Sequence, residues 1–181
     1  DEDDATTDAI FAVNVQGPIT GMKLVLPGMV ERGRGHVVNV ASYAGRFEIP
    51  GLASYCGSKA ALVHLSNTVA RELEGTGVTV TAVLPSAVHT ELSSGIAFPF
   101  ARVAKVRPEH VADVIVASVH DQPREIAVPG WLGGYQQLKA LMPERVEGLV
   151  RRGLGDDRAI TRVDHAARAA YAERVERQVA R

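Results

Sequence analysis

One cysteine, Cys56, stands alone in the chain. It excludes an internal disulfide and fits a reducing compartment. Charge of neither sign predominates, since 20 Lys and Arg against 21 Asp and Glu leave a net charge of -1. A basic footprint for nucleic acid or an anionic membrane is therefore missing. No apolar run reads as long enough to span a membrane, and the opening DEDDATTD is the opposite of a basic, apolar signal peptide. A cytoplasmic location is expected. The six histidines, His89 and His110 among them, lack metal-ligand spacing, so no metal site is expected. A GxSxG motif is absent, which argues against an α/β-hydrolase. There is no internal repeat and no low-complexity linker.

What is present is an ordinary globular composition, 46% hydrophobic and 23% charged over 181 residues. That suits one domain with a full core. Residues 5–31 carry apolar residues at mainly helical spacing, with Thr6, Thr7 and Asp8 as capping types and Gly33 and Gly35 past the end. HVVNVAS is a β-branched run of the buried parallel type. GRFEIPGLAS is a loop, after which Ser54 could cap a second helix with Leu62, Leu65, Val69 and Leu73 as its apolar stripe. VTVTAVLP reads as a second strand, PEHVADVIVASVHD as a helix opened by Pro108, and REIAVPG as a third strand. Helix and strand thus alternate, which predicts an α/β fold with a parallel sheet and right-handed crossovers. Beyond Gly130 a helix interrupted at Pro143 is expected. The Ala- and Arg-rich end, with Tyr171, Val175 and Val179 as a thin apolar stripe, reads as a solvated helical tail. The division expected is a catalytic part over 1–130 and a helical extension over 131–181.

Ligands of an open parallel sheet bind at the carboxyl ends of its strands. Ser42 follows the first strand, and Pro85 to Thr90 follow the second. In SYCGSKAALVHL, Tyr55 and Lys59 are one helical turn apart and share a face. Taken alone, such a pair is a weak signal. Pro18 offers no N–H to the carbonyl four residues earlier, which belongs to Asn14, so the first helix should be distorted there with that oxygen free to hold a water. Cys56 has no base partner and reads as a small packing residue.

NVQG with Asn14, VNVAS with Ser42, YCGSK with Tyr55 and Lys59, and PSAVHT occur in an order that resembles the short-chain dehydrogenase/reductase family, in its compact single-domain branch. The resemblance runs from about residue 5 to residue 129. It implies a Rossmann-type parallel sheet with flanking helices. The implied reaction is hydride transfer between NAD or NADP and a carbonyl or alcohol substrate. By resemblance Asn14, Ser42, Tyr55 and Lys59 form the catalytic set, with Asn14 holding a relay water. Tyr55, Lys59, Pro85, Ser86, Val88 and Thr90 would meet the cofactor. Tyrosine can protonate the carbonyl oxygen, and the Lys59 ammonium, with the charge of the oxidised nicotinamide, is expected to lower the phenol pKa from about 10. The family usually has glycine where this chain has Ser86.

The family's Gly-rich turn after its first strand is missing, since GRGRG, GLGDD and WLGGY do not join a strand to a helix. The chain therefore reads as the C-terminal part of a longer fold, its first strand left with a bare apolar edge. Alone it is expected to bind dinucleotide weakly or not at all. The alternative is a truncated or decayed non-catalytic form acting as an oligomerisation or partner-binding module. The residues between Leu92 and Arg107, including Ile96, Phe98 and Phe100, hint at an apolar substrate. A homodimer or homotetramer through the helices at 5–31 and 55–74 is implied by resemblance only.

Overall fold

β-Branched runs become strands in the computed structural model, which describes residues 2–88 and 105–153. Strand β1 (Gly35–Val40), β2 (Val78–Pro85) and β3 (Glu125–Val128) form a parallel sheet in the order β1-β2-β3. Val37 pairs with Val80, and Ala82 with Glu125. Alternation along the strands decides which helix each residue meets. Val78, Val80, Ala82 and Leu84 pack toward helices α2 (Gly17–Glu31) and α3 (Ala53–Glu72). Val83, with Val38, Ile126 and Val128, packs toward α4 (Pro108–Asp121) through Val111, Val114 and Ile115. Helices therefore cover both faces of the central strand, and β2 reads as a continuous apolar run because both its faces are buried. Leu62, Leu84 and Val63 are almost wholly enclosed, and each contributes about 1.5–3 kcal/mol by leaving water.

A buried polar link also crosses the core. Asn39 donates to Ser66 Oγ at 2.9 Å and to Met22 Sδ at 3.5 Å, joining β1, α3 and α2. At the far end of the sheet, Gly77 has φ of 76°, and a Cβ on it would lie 2.1 Å from Gly33 O. Only glycine permits that contact between two turns.

Several expectations need correction. The first helix is capped by Asp3, whose carboxylate accepts from Thr6 N and Thr6 Oγ1, and not by Thr6, Thr7 or Asp8. Ser54 is not the N-cap of α3; that position is Leu52, which makes no side-chain cap. The membrane reading also changes. The helical stretch Asp4–Glu31 is 28 residues long and, by length and composition, apolar enough to cross a membrane. Lys23, Pro18 and Pro27 interrupt its apolar run in the sequence, and helical continuity joins the pieces. One face of it belongs to the core, where Met22, Leu26 and Met29 pack on Val78 and Val80. Away from that face Val13 and Leu24 are exposed.

The break expected near Pro18 takes the form of a π turn, Ala12–Gln16, between α1 (Asp4–Phe11) and α2. Gly17 N–H reaches back five residues to Ala12 O. After β3, α5 (Trp131–Ala140) and α6 (Glu144–Gly153) are separated at Pro143, where the interruption was expected. Among the described residues the outer edge of β1 has no partner strand. Thr90, His89, most of the Leu92–Arg107 segment and the tail from residue 154 lie outside the described residues.

Candidate active site

β1 ends at Val40, and Ser42 then adopts extended backbone at the start of a short 3-10 turn, Tyr43–Gly45. Its hydroxyl oxygen accepts from Ala44 N–H at 3.1 Å, a turn cap that fixes the side chain. The same hydroxyl lies near the Tyr55 phenol, whose pKa it pulls down. Ser42 thus both caps a turn and adjoins the phenol.

The turn stays close to α3 because of Gly45. A Cβ there would lie 2.8 Å from Lys59 O and 2.9 Å from Lys59 C, so the chain presses directly on the helix backbone at Lys59. Sequence reasoning missed this residue. Its signal was a glycine three positions after the strand-end serine, which only the long-range packing explains.

Lys59 lies one turn beyond Tyr55, its Nζ 5.8 Å from the ring centroid. The ammonium also donates to Val40 O in a long contact of 3.4 Å. Burial lowers its pKa. Burial likewise raises the Tyr55 pKa above the ordinary 10.0, the Ser42 hydroxyl pulling it back and Cys56 adding a further rise. The expected lowering concerns the site with the nicotinamide charge beside Lys59; in the chain by itself burial is the larger effect. Desolvation penalises the phenolate, and the ammonium sits beside the ring rather than forming a hydrogen bond to the phenol oxygen. Tyr55 keeps its proton at neutral pH. Cys56 is half-buried, and burial raises its pKa too, which suits a packing role and not thiolate chemistry.

Asn14, within the π turn, is bonded to α3 by its side chain. Its Nδ2 donates to Ser58 Oγ at 3.1 Å, and Ser58 Oγ donates to Tyr55 O at 2.8 Å. Ser58 is fully buried and was not singled out from the sequence. A chain of two hydrogen bonds thus joins the distorted first helix to the turn that carries Tyr55 and Lys59.

On the neighbouring strand, Pro85 closes β2. Ser86 N–H donates to Val128 O at 2.8 Å, and Val88 pairs with Val106. The Pro85–Val88 segment is therefore held between β3 and Val106 at the same strand end as Ser42. Thr90 falls outside the described residues. Two hydroxyls and an ammonium with one long protein hydrogen bond suit a carbonyl oxygen and a sugar diol, the donor set a nicotinamide riboside requires. A Gly-rich strand-to-helix turn suited to the pyrophosphate is absent from the described residues.

A parallel sheet clad by helices, with serine, tyrosine and lysine at its strand ends, defines a Rossmann-like α/β protein. The family model for short chain dehydrogenase matches residues 1–97. The chain belongs to that family. It is 46% identical over 88 residues to 2-(S)-hydroxypropyl-CoM dehydrogenase 3 of Xanthobacter autotrophicus, covering 49% of this chain and 34% of the relative. It is 45% identical over 83 residues to a protein of the same organism named inactive 2-(S)-hydroxypropyl-CoM dehydrogenase 2, covering 46% and 36%. A short-chain dehydrogenase structure from Streptomyces avermitilis superposes with a TM-score of 0.62 at 27% identity, over 83% of this chain and 64% of that one. The chain spans about a third of the length of these two curated relatives.

Proposed function

We propose that the protein is an NAD(P)-dependent oxidoreductase that interconverts a carbonyl and an alcohol, with Tyr55 as its acid/base. The observation that carries this reading is the Lys59 ammonium 5.8 Å from the Tyr55 ring centroid and tied to the end of β1 through Val40 O, with the Ser42 hydroxyl near the same phenol. The bound nicotinamide would exchange the hydride with the substrate carbon. In the reductive direction Tyr55 gives its phenolic proton to the carbonyl oxygen, and an alcohol results. The phenol holds that proton at neutral pH, so the acid form is the one that meets the substrate. Ser42 donates to the substrate oxygen and aims it at the phenol. Lys59 steadies the phenolate that remains and holds the ribose hydroxyls. Asn14 fixes the π turn against Ser58, and the relay water expected from the sequence is part of the proposal. Pro85, Ser86, Val88 and Thr90 would line the carboxamide side.

A relative's name makes a hydroxypropyl-bearing alcohol the first substrate to assay. A cytoplasmic location and association through the helices at 5–31 and 55–74 belong to the same reading. So does the division of the chain into a catalytic part over 1–130 and a helical extension over 131–181.

The native protein, at the length its intact mass reports, should reduce NAD or NADP when given a panel of secondary alcohols. No turnover with any pair, together with no dinucleotide binding by calorimetry, overturns the proposal. One observation favours a second reading, a non-catalytic oligomerisation or partner-binding module: a similar relative is named inactive. Under it, the same two measurements are both negative.

A further inference from the structure

The loop 46–52 runs from the Ser42 turn to the start of α3, and so connects the two sides of the candidate site. Residues far along the chain hold it. Lys139 of α5 is only 16% exposed. Its Nζ donates to Glu48 Oε2 at 2.8 Å, forms an ion pair with Glu147 Oε1 of α6 at 3.1 Å, and lies 5.3 Å from the Phe47 ring centroid. Phe47 in turn stacks on Tyr43 at a centroid distance of 6.4 Å. Tyr43 donates its hydroxyl to Leu132 O at 3.1 Å, and Leu132, on α5, is completely buried. One ammonium therefore gathers α5, α6 and the loop, and the aromatic stack carries the contact to the residue next to Ser42.

We propose that Lys139 is a positioning residue for substrate binding, fastening the loop 46–52 to α5 and α6 through Phe47 and Glu48. The inference rests on the oxidoreductase reading of the Ser42–Tyr55 site and names a device that would shape it. Lys139 touches neither Tyr55 nor Lys59 and takes no part in proton transfer. A guided loop changes how well substrate is held, while the chemical step depends on the strand ends and α3. Packing alone does not explain a lysine here. A half-enclosed ammonium is costly without partners, and two carboxylates from different elements meet it. Burial opposes its charge, and the Glu48 and Glu147 hydrogen bonds more than compensate, so its pKa rises.

The test uses the native protein and three variants, Lys139→Met, Lys139→Arg and Glu48→Gln. Hydrogen exchange read by mass spectrometry should be about two- to fivefold faster in the 46–52 peptide of Lys139→Met, the scale of a lost, partly exposed ion pair. The β2 peptide 78–85 should not change. For the alcohol that is turned over, KM should rise by a similar factor with kcat within about twofold, the signature of lost uniform binding. Lys139→Arg should restore both values. Glu48→Gln alters an exposed residue and should shift both quantities the same way by less, so it decides the matter if Lys139→Met fails to fold. Unchanged exchange at 46–52 in the folded variants overturns the proposal, as does faster exchange with KM unaltered. If the unaltered protein turns over no substrate and binds no dinucleotide, the oxidoreductase reading fails. Exchange at 46–52 then judges the fastening alone: faster exchange supports it, and unchanged exchange overturns it.

Discussion

Replacing Gly45 by alanine is the most revealing single change near the site. The added methyl carbon would sit 2.8 Å from Lys59 O, where ordinary contact begins at 3.4 Å. The difference, 3.4 − 2.8, means that the turn must lift by roughly 0.6 Å. Its neighbours are backbone atoms of α3, including Ala60 N at 3.1 Å, so they cannot rotate away as a side chain would. Gly45 does not have positive φ, so the effect is a clash and not backbone strain. Overpacking of this kind costs about 1–3 kcal/mol. The catalytic cost should be larger than the stability cost suggests, because Ser42 begins the same turn and a shift near 1 Å costs about a hundredfold in rate. Thermal melting and steady-state kinetics on the native protein check both parts. The expected result is a folded variant, destabilised by about 1–3 kcal/mol, with kcat/KM down by about ten- to a hundredfold. A variant with unchanged melting and unchanged kcat/KM would refute the argument that this contact sets the Ser42–Tyr55 geometry.

Two further outcomes follow from titratable groups. His36 bridges Thr79 Oγ1 at 2.8 Å and Ser118 Oγ at 3.2 Å, and burial lowers its pKa from 6.5. The unfolded chain then takes up the proton first. Stability is full above pH 6.5 and is lost as pH falls toward the lower folded value, a slope that His36→Gln should flatten in denaturant titrations. For Tyr55, the raised pKa places the alkaline limb of kcat/KM for carbonyl reduction above pH 10.0. A limb near neutrality in the free enzyme would contradict the burial argument.

The strands were legible because β2 is buried on both faces and β1 is β-branched, and local composition reports such burial directly. The alternation of helix and strand was enough to predict the parallel sheet. Helix starts were less legible. Thr6 and Thr7 are good caps by type, yet Asp3 reaches Thr6 N first, and Ser54 lies one residue inside a helix that Leu52 begins. Pro18 announced a distortion, but the residues cannot say that it becomes a π turn whose Asn14 side chain seeks Ser58. Ser42, Tyr55 and Lys59 stood out as a set through the family resemblance of their motifs, and the fold brings Lys59 against both the Tyr55 ring and the end of β1. Gly45, Ser58 and Lys139 did not stand out, since each acts through a partner distant in sequence or through backbone contact. The effect of burial on Tyr55 was not legible either, since spacing reveals the neighbouring ammonium and not how deeply the fold encloses the phenol.

The central claim is that Tyr55 is the acid/base of a nicotinamide-dependent reaction. Tyr55→Phe keeps the ring beside Lys59 and removes only the hydroxyl, so the fold and dinucleotide affinity should hold. Measured kcat on the native protein should fall by about a hundredfold or more, the usual worth of a positioned acid. A correctly folded Tyr55→Phe variant within about tenfold of the parent would contradict the account.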